Sequence, residues 1–543
     1  MEQVAGWAVL LPSAPGIMRS CATTLILCGC ACASLGQQND VPLNRDIYYD
    51  IDRNGACRTS TMHTGLRPMI ESRADLDNVM GFRPDKGRHY YLFTKKLFAE
   101  HLINARHGGF KLSIDPVFRF EMGRDMVETS VANTNQATNN FNARGFWIKA
   151  DLGKDVSFQT TFYENQAVLP LYLYQYAQRT GVVPGQGRIK AFNQRGLDFA
   201  WAMGNVSWSP RRWINVQFGN GRHFVGNGYR SVLLGDNTFP YPYLKFSFIT
   251  PDQRLQYTWI NARFQSVNDP ADRLPTGESA ESLFWWRRVG LKHLSVNLGP
   301  VQLGLFEATL WRTIDSSGVR PFNAWQLNPV PVVNTLVNGF DGEHKQLIGL
   351  DAKYRITDKF FVYGQFALDD PARQRYAWQA GFQWFDILVR DLHLLAEYNS
   401  ATPFAYTSSF TRGSYSQYNE PLASPLGAGY NEAVAILDYG IKQTWWFRVQ
   451  GSLATFTVDT TATTVSGGNI FDPRDAMGAD SLAVKRTRAW LDVSFAWRIN
   501  HNQNTSLSIG LSTRDVNPAP DTQNCHYLYV CLRTGLFNRY YDH

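Results

Sequence analysis

Leu491-Asp492-Val493-Ser494-Phe495-Ala496-Trp497-Arg498-Ile499 reads as one pleat with two unlike faces. Leu491, Val493, Phe495, Trp497 and Ile499 fall on one side; Asp492, Ser494, Ala496 and Arg498 fall on the other. Side chains of a strand alternate between faces, so this pattern needs an apolar environment on one side and a polar one on the other. The next burst repeats it, with Leu507, Ile509 and Leu511 against Ser506, Ser508 and Gly510. Asn500-His501-Asn502-Gln503-Asn504 between the two reads as a hairpin turn.

The same alternation extends back through most of the chain. Phe110, Leu112 and Ile114 oppose Lys111, Ser113 and Asp115. Leu197, Phe199, Trp201 and Met203 share a face, as do Trp378, Ala380, Phe382 and Trp384, and Leu392, Leu394, Ala396 and Tyr398. Trp445, Phe447, Val449 and Leu453 oppose Arg448, Gln450 and Ser452, and Asp358-Lys359 marks another turn. A final strand is expected over 527–537, with Leu528, Val530, Leu532 and Leu536 facing one way and Tyr529, Arg533 and Gly535 the other. Period two over about ten residues, repeated many times, is the pattern of a membrane barrel with lipid outside and a polar lumen inside. The expected class is all-β: a transmembrane antiparallel β-barrel of about 16 to 20 strands, with about 18 favoured, plus a small N-terminal helical segment. Longer polar stretches near 265–283, 312–345, 400–432 and 458–486 read as outer loops.

Three regions follow. Residues 1–36 read as a secretory signal: Met18-Arg19 precedes Ala22, Leu25, Ile26, Leu27 and Cys28, and small residues lead to Gly36. Met18 is a candidate true start, and Leu27-Cys28-Gly29-Cys30 offers a competing lipoprotein reading with Cys30 acylated. Residues 37–108 form a periplasmic or plug segment with a helix expected near 89–106, where Tyr91, Lys95, Phe98 and Leu102 make one stripe. Residues 109–543 are the barrel.

Composition agrees with that address. Charged residues are 18% and aromatics 14%, and the net charge of +7 is mild for 543 residues, which suits aromatic girdles rather than nucleic-acid binding. Outside the signal region three cysteines remain, Cys57, Cys525 and Cys531. On one extended strand Cys525 and Cys531 lie roughly 20 Å apart, too far to bond each other. No metal spacing is present, and no cofactor is expected.

One stretch breaks the alternation: Phe218-Gly219-Asn220-Gly221-Arg222-His223-Phe224-Val225-Gly226-Asn227-Gly228-Tyr229-Arg230-Ser231-Val232-Leu233-Leu234-Gly235-Asp236-Asn237. Its glycines permit bulges and close backbone approach. Asn220, Arg222, His223, Asn227, Arg230, Asp236 and Asn237 can bond hydroxyl-rich ligands, and Phe224 and Tyr229 offer flat faces to sugar rings. An equally weighted reading has the stretch folded into the lumen, its Arg and Asp residues paired across the wall. It is no phosphate loop, lacking the Gly-Lys-Ser/Thr ending.

This stretch resembles the signature of Wzi-type capsule assembly proteins, and most closely that of the gliding-motility RemB-like proteins of Bacteroidetes. The tail Leu532-Arg533-Thr534-Gly535-Leu536-Phe537-Asn538-Arg539-Tyr540-Tyr541-Asp542 resembles the C-terminus of that subgroup. Gly235 departs from the Ser usual before Asp-Asn, and His543 from a terminal aromatic. The resemblance implies an outer-membrane barrel with a helical segment at the periplasmic side, a lectin-like hold on surface polysaccharide, and association with gliding and adhesion. By position it marks Asn220, Arg222, His223, Asn227, Arg230, Asp236 and Asn237; with Phe224 and Tyr229, taken for their flat faces, these are the nine glycan-binding candidates.

The leading expectation is thus a non-enzymatic protein binding or anchoring capsule or exopolysaccharide. Its expected partners are surface polysaccharide, outer-membrane lipid and lipopolysaccharide, and gliding or secretion machinery, with no nucleic acid. A porin-like channel and the barrel subunit of a secretion or motility complex are the alternatives. An enzyme in the wall using His223, Ser231 and Asn237 is weaker, for no nucleophile elbow or acid pair accompanies them.

Overall fold

The computed structural model describes residues 38–74, 91–128, 138–193, 195–267, 284–315, 318–340, 344–410, 412–459, 465–472, 483–518 and 524–542. The expected signal peptide, the Met18 start and the Cys30 lipidation site lie outside them. The described wall is a closed antiparallel barrel of 18 full strands, each paired with its neighbours in sequence. In chain order these are β1 (Phe110–Asp125), β2 (Asn139–Leu152), β3 (Val156–Val168), β4 (Gly196–Arg211), β5 (Ile214–Gly221), β6 (Tyr241–Ile249), β7 (Leu255–Val267), β8 (Phe284–Leu298) and β9 (Val301–Trp311). They continue as β10 (His344–Arg355), β11 (Phe360–Asp370), β12 (Arg375–Phe385), β13 (Leu392–Ala401), β14 (Tyr430–Ile441), β15 (Trp445–Val458), β16 (Val484–Asn500), β17 (Thr505–Asn517) and β18 (Cys525–Thr534).

Short turns gather at one end, as at 153–155, 212–213, 299–300 and 442–444, while the described parts of 169–195, 222–240, 312–343 and 402–429 gather at the other. In outer-membrane barrels the first end is periplasmic and the second external. Leu491, Phe495, Ile509 and Leu528 point outward, each at least 41% exposed, as the alternation requires. Trp213, Trp384 and Trp445 stand beside the short turns as one aromatic girdle. The face shared by Leu197, Phe199 and Trp201 points the other way. It is buried in the bore, where Trp201 meets Phe537 edge-on at 4.6 Å.

Closure joins β18 to β1, from Tyr527↔Asp125 to Arg533↔Arg119. Because the strands are staggered, the lower part of β1 extends past this pairing. The short strand Ile103–His107 covers it, pairing with residues 110–114. An uncovered edge there would leave backbone groups unbonded in lipid. The expected 89–106 helix is broken by this demand. Among its described residues only α2 (Leu92–Phe98) is helical; the chain then extends to pair with β1. Phe98 lies 6.3 Å from the outward-facing Trp497, so α2 sits outside the wall.

Residues 38–74 instead fill the bore. Their helix α1 (Arg45–Gly55) is capped by the Asn44 side chain and buries Ile47, Tyr48, Tyr49 and Ile51. Along its length this plug bonds many wall strands: Asn39 to Asp151, Asp40 to Asn205 and Gln217, His63 to Ser295, Thr64 to Gln302, and Arg448 to Asp46. Arg53 grips Asp386 and Asp391 in the β12–β13 turn at 2.7 Å each. The last strand is also shorter than the expected 527–537: it ends at Thr534, and Gly535 N–H donates to the Asn504 carbonyl as the tail turns into the bore. Leu536 is therefore buried in the interior rather than set on a lipid face. Cys57, Cys525 and Cys531 are all free.

Candidate functional site

The chain leaves the wall at Gly221, the last residue of β5, and folds inward rather than out. Phe224 and Val225 pair with Arg67 and Leu66 of the plug, and Gly226 N–H donates to the Gly65 carbonyl at 2.8 Å. Gly226 has φ +126°, and a Cβ there would overlap the Gln365 side chain; at Gly228 it would meet Glu397 Oε2 at 2.5 Å. Glycine is needed at both, one for its backbone and both for their closeness to the wall.

Arg230 is the centre of the arrangement. Its guanidinium donates to both Glu432 oxygens at 3.0 and 2.9 Å and to Asp542 at 2.9 Å, with 1% of the residue exposed. Its N–H and that of Tyr229 donate to Glu397, and its carbonyl accepts from Gln379. Tyr229 donates to Asp542 at 2.8 Å and carries Arg45 4.1 Å above its ring. Arg222 donates to the carbonyls of Gly185 and Asp236. His223 bonds Tyr241 at 3.1 Å, and burial pushes its imidazole well below the usual range. Asn227 accepts from Thr64, Asp236 accepts from Tyr540 and Asn538, and Asn237 donates to the Pro421 carbonyl. In the adjoining loop, burial pushes Glu420 up to about 8, against the lowering effect of Gly185 N–H.

The structure therefore brings eight of the nine candidates into one inward-folded loop, each buried, including Phe224. Asn220 is apart. It shares the parity of the exposed Phe218 and donates to the Ala202 carbonyl on the neighbouring strand. The two stretches that carried the family resemblance, separated by about 300 residues, meet here through Asp236–Tyr540, Tyr229–Asp542 and Arg230–Asp542. His223, Ser231 and Asn237 do not converge: Ser231 Oγ donates to the Val225 carbonyl, and the other two have the separate partners given above.

Sequence reasoning passed over the wall residues that hold this network, Gln365, Gln379, Glu397 and Glu432. Parity was the available signal, since Glu397 alternates with Ala396 and Tyr398. It also passed over a second feature. A cavity of about 220 Å³ lies between α1, the tail and strands β15–β18, lined among others by Gln450, Asp492, Ser494, Arg498, Ser508 and Arg533. Most of these are the polar halves of the alternations read above. The cavity follows β17 from Ser506 to Arg514.

The outer-membrane protein Wzi of Escherichia coli, described as involved in group 1 capsule assembly and as a carbohydrate-binding β-barrel, is similar to this chain. The TM-score is 0.54 at 12% identity, covering 92% of this chain and 100% of that one. The fold is that of outer-membrane barrels. OpdQ and OprD of Pseudomonas aeruginosa align at a TM-score of 0.41 with 10% and 11% identity, over 78% of this chain and 97% and 94% of theirs. No family model and no curated protein matches the sequence.

Proposed function

We propose that this protein is an exported outer-membrane barrel that holds surface polysaccharide, capsule or exopolysaccharide, at its loop end, by binding rather than catalysis. One observation carries the reading: the bore is filled from one side by residues 38–74 and from the other by the inward 222–240 loop, and the two are hydrogen-bonded to each other. A filled bore gives a rigid base for presenting loops and is a poor conduit. The carbohydrate chemistry comes from Wzi, whose fold this chain shares. In this reading the eight buried candidates act by fixing the loops that meet the glycan.

The resemblance to RemB-like proteins extends the proposal to gliding and surface adhesion, in a Bacteroidetes envelope and alongside motility or secretion components. Purified barrel passed over exopolysaccharide from its own source is expected to be retained. Free passage, with unboiled gel mobility intact, would remove the binding claim. Loss of gliding on deletion, restored by the intact gene, is the expected result for the wider role.

The porin-like alternative rests on the cavity along β17. Planar-bilayer recordings discriminate: silence supports the binding reading, and stable open steps support a channel.

A further inference from the structure

Seven arginines and four carboxylates line the β15–β18 cavity. The carboxylates are already committed. Glu121 accepts from Arg119 at 2.6 Å, Asp46 from Arg448 at 2.8 Å, Asp542 from Arg230 at 2.9 Å, and Asp492 from Tyr529 at 3.1 Å. Three guanidiniums are left over. Among the described residues the Arg498 and Arg539 guanidiniums have neither a hydrogen bond nor an ion pair: Arg498 lies over Trp446 with Asp46 and Asp50 acting on it only through space, Arg539 lies over Phe141 and Phe537, and Arg533 reaches Asp46 only at 3.8 Å. Arg498 is 8% exposed. A guanidinium carries five donors and no acceptor, so three of them facing one space select an anion there.

The remaining lining says what kind of anion. The indole N–H groups of Trp446 and Trp490 are buried without a partner, and Tyr527 and Tyr529 are stacked at 5.7 Å. Ser494, Ser506 and Ser508 add hydroxyls. A phosphate ion would use the arginines and some hydroxyls but leave the ring faces idle and the hydroxyls' acceptor capacity unused. A sugar ring bearing a carboxylate would use all three. At about 220 Å³ the space is smaller than the roughly 300 to 1,000 Å³ of drug-sized sites, which fits one ring rather than an oligosaccharide.

We propose that this cavity is a binding site for a single hexuronate, free or at the end of an acidic polysaccharide, with Arg498, Arg533 and Arg539 holding its carboxylate. The assignment deepens the polysaccharide reading and rests on it for the biological source of the sugar.

Calorimetric titration of the detergent-purified barrel with glucuronate and galacturonate tests it, with glucose, galactose and inorganic phosphate as comparators. Saturable binding of one uronate is expected, with the neutral hexoses and phosphate at least about tenfold weaker. Arg498→Gln and Arg533→Gln should each weaken it about tenfold while keeping unboiled mobility. Ser508→Phe, which fills the space without changing charge, should abolish it. No uronate binding by wild type overturns the proposal, as does phosphate binding equal to that of uronate, or Arg498→Gln and Arg533→Gln proteins that both bind like wild type. Retention of whole polysaccharide without monomer binding sinks this site alone; monomer binding without retention sinks the wider reading alone.

Discussion

Two parts of the same lumen are built from the same residue types and behave differently. Around Arg230 every strong charge has its complement: Glu432 and Asp542 face the guanidinium, and Glu397 caps the adjacent N–H groups. Across the bore, Arg498 and Arg539 line a cavity with no carboxylate at bonding distance; Asp46 acts on Arg498 only through space. Arginine, tyrosine and asparagine in a glycine-rich run suggested ligand chemistry, but each of those side chains is already held by protein partners. The plainer arginines of the pleat are the ones left unsatisfied. Residue type alone says little about binding; what counts is whether the partner is already present.

The contrast can be broken most directly at Arg230. Arg230→Met leaves Glu432 and Asp542 buried without that cation and should cost about 3 to 5 kcal/mol. The check is the temperature at which unboiled, fast-migrating protein is lost. Next is Gly226→Ala, where a side chain at φ +126° meets Gln365; about 2 to 3 kcal/mol is expected by the same assay. Were it neutral, the tight docking of the loop on the wall would be wrong.

Asp46 joins the two regions through α1. Burial raises its carboxyl, but Arg448, Arg533 and Arg498 outweigh that and hold it at about 2, below its ordinary 3.8. Its stabilising contribution is therefore complete above about pH 4 and is lost as pH falls through about 2, on the order of 2 kcal/mol. Thermal midpoints at about pH 5 and about pH 2 should differ less in Asp46→Asn than in wild type.

Arg498→Gln sharpens the comparison from the other side. Arg498 acts on Asp46 through space rather than through a bond, so its loss should shift stability by under about 1 kcal/mol, in contrast to Arg230→Met. A loss as large as that at Arg230 would mean the cavity arginines are structural. The smallest effect belongs to Asn220→Leu, on the outer face, within about 0.5 kcal/mol and with polysaccharide retention unchanged.

Much of the wall was legible because its physics is local. Leu491, Phe495 and Ile509 face lipid as their parity requires, and the turns at 358–359 and 500–504 fall where polar residues interrupt the alternation. Helical periodicity over 89–106 misled because residues 103–107 answer to the open edge of β1, a requirement set by a strand far along the chain. The tail misled for a similar reason: past Thr534 its apolar residues find Trp201 and Tyr163 inside rather than lipid outside.

By itself the sequence determined that this chain closes into a barrel with a polar interior, since period-two alternation is satisfied only between lipid and an enclosed lumen. It also marked the 218–237 stretch as exceptional. Only the tertiary structure decided that this stretch turns inward, zips to the plug and is held by Glu397, Glu432 and Asp542, while the arginines of β16, β18 and the tail are left facing a cavity. Charge compensation in a bore depends on which strands stand opposite one another, and that is fixed by closure of the whole ring.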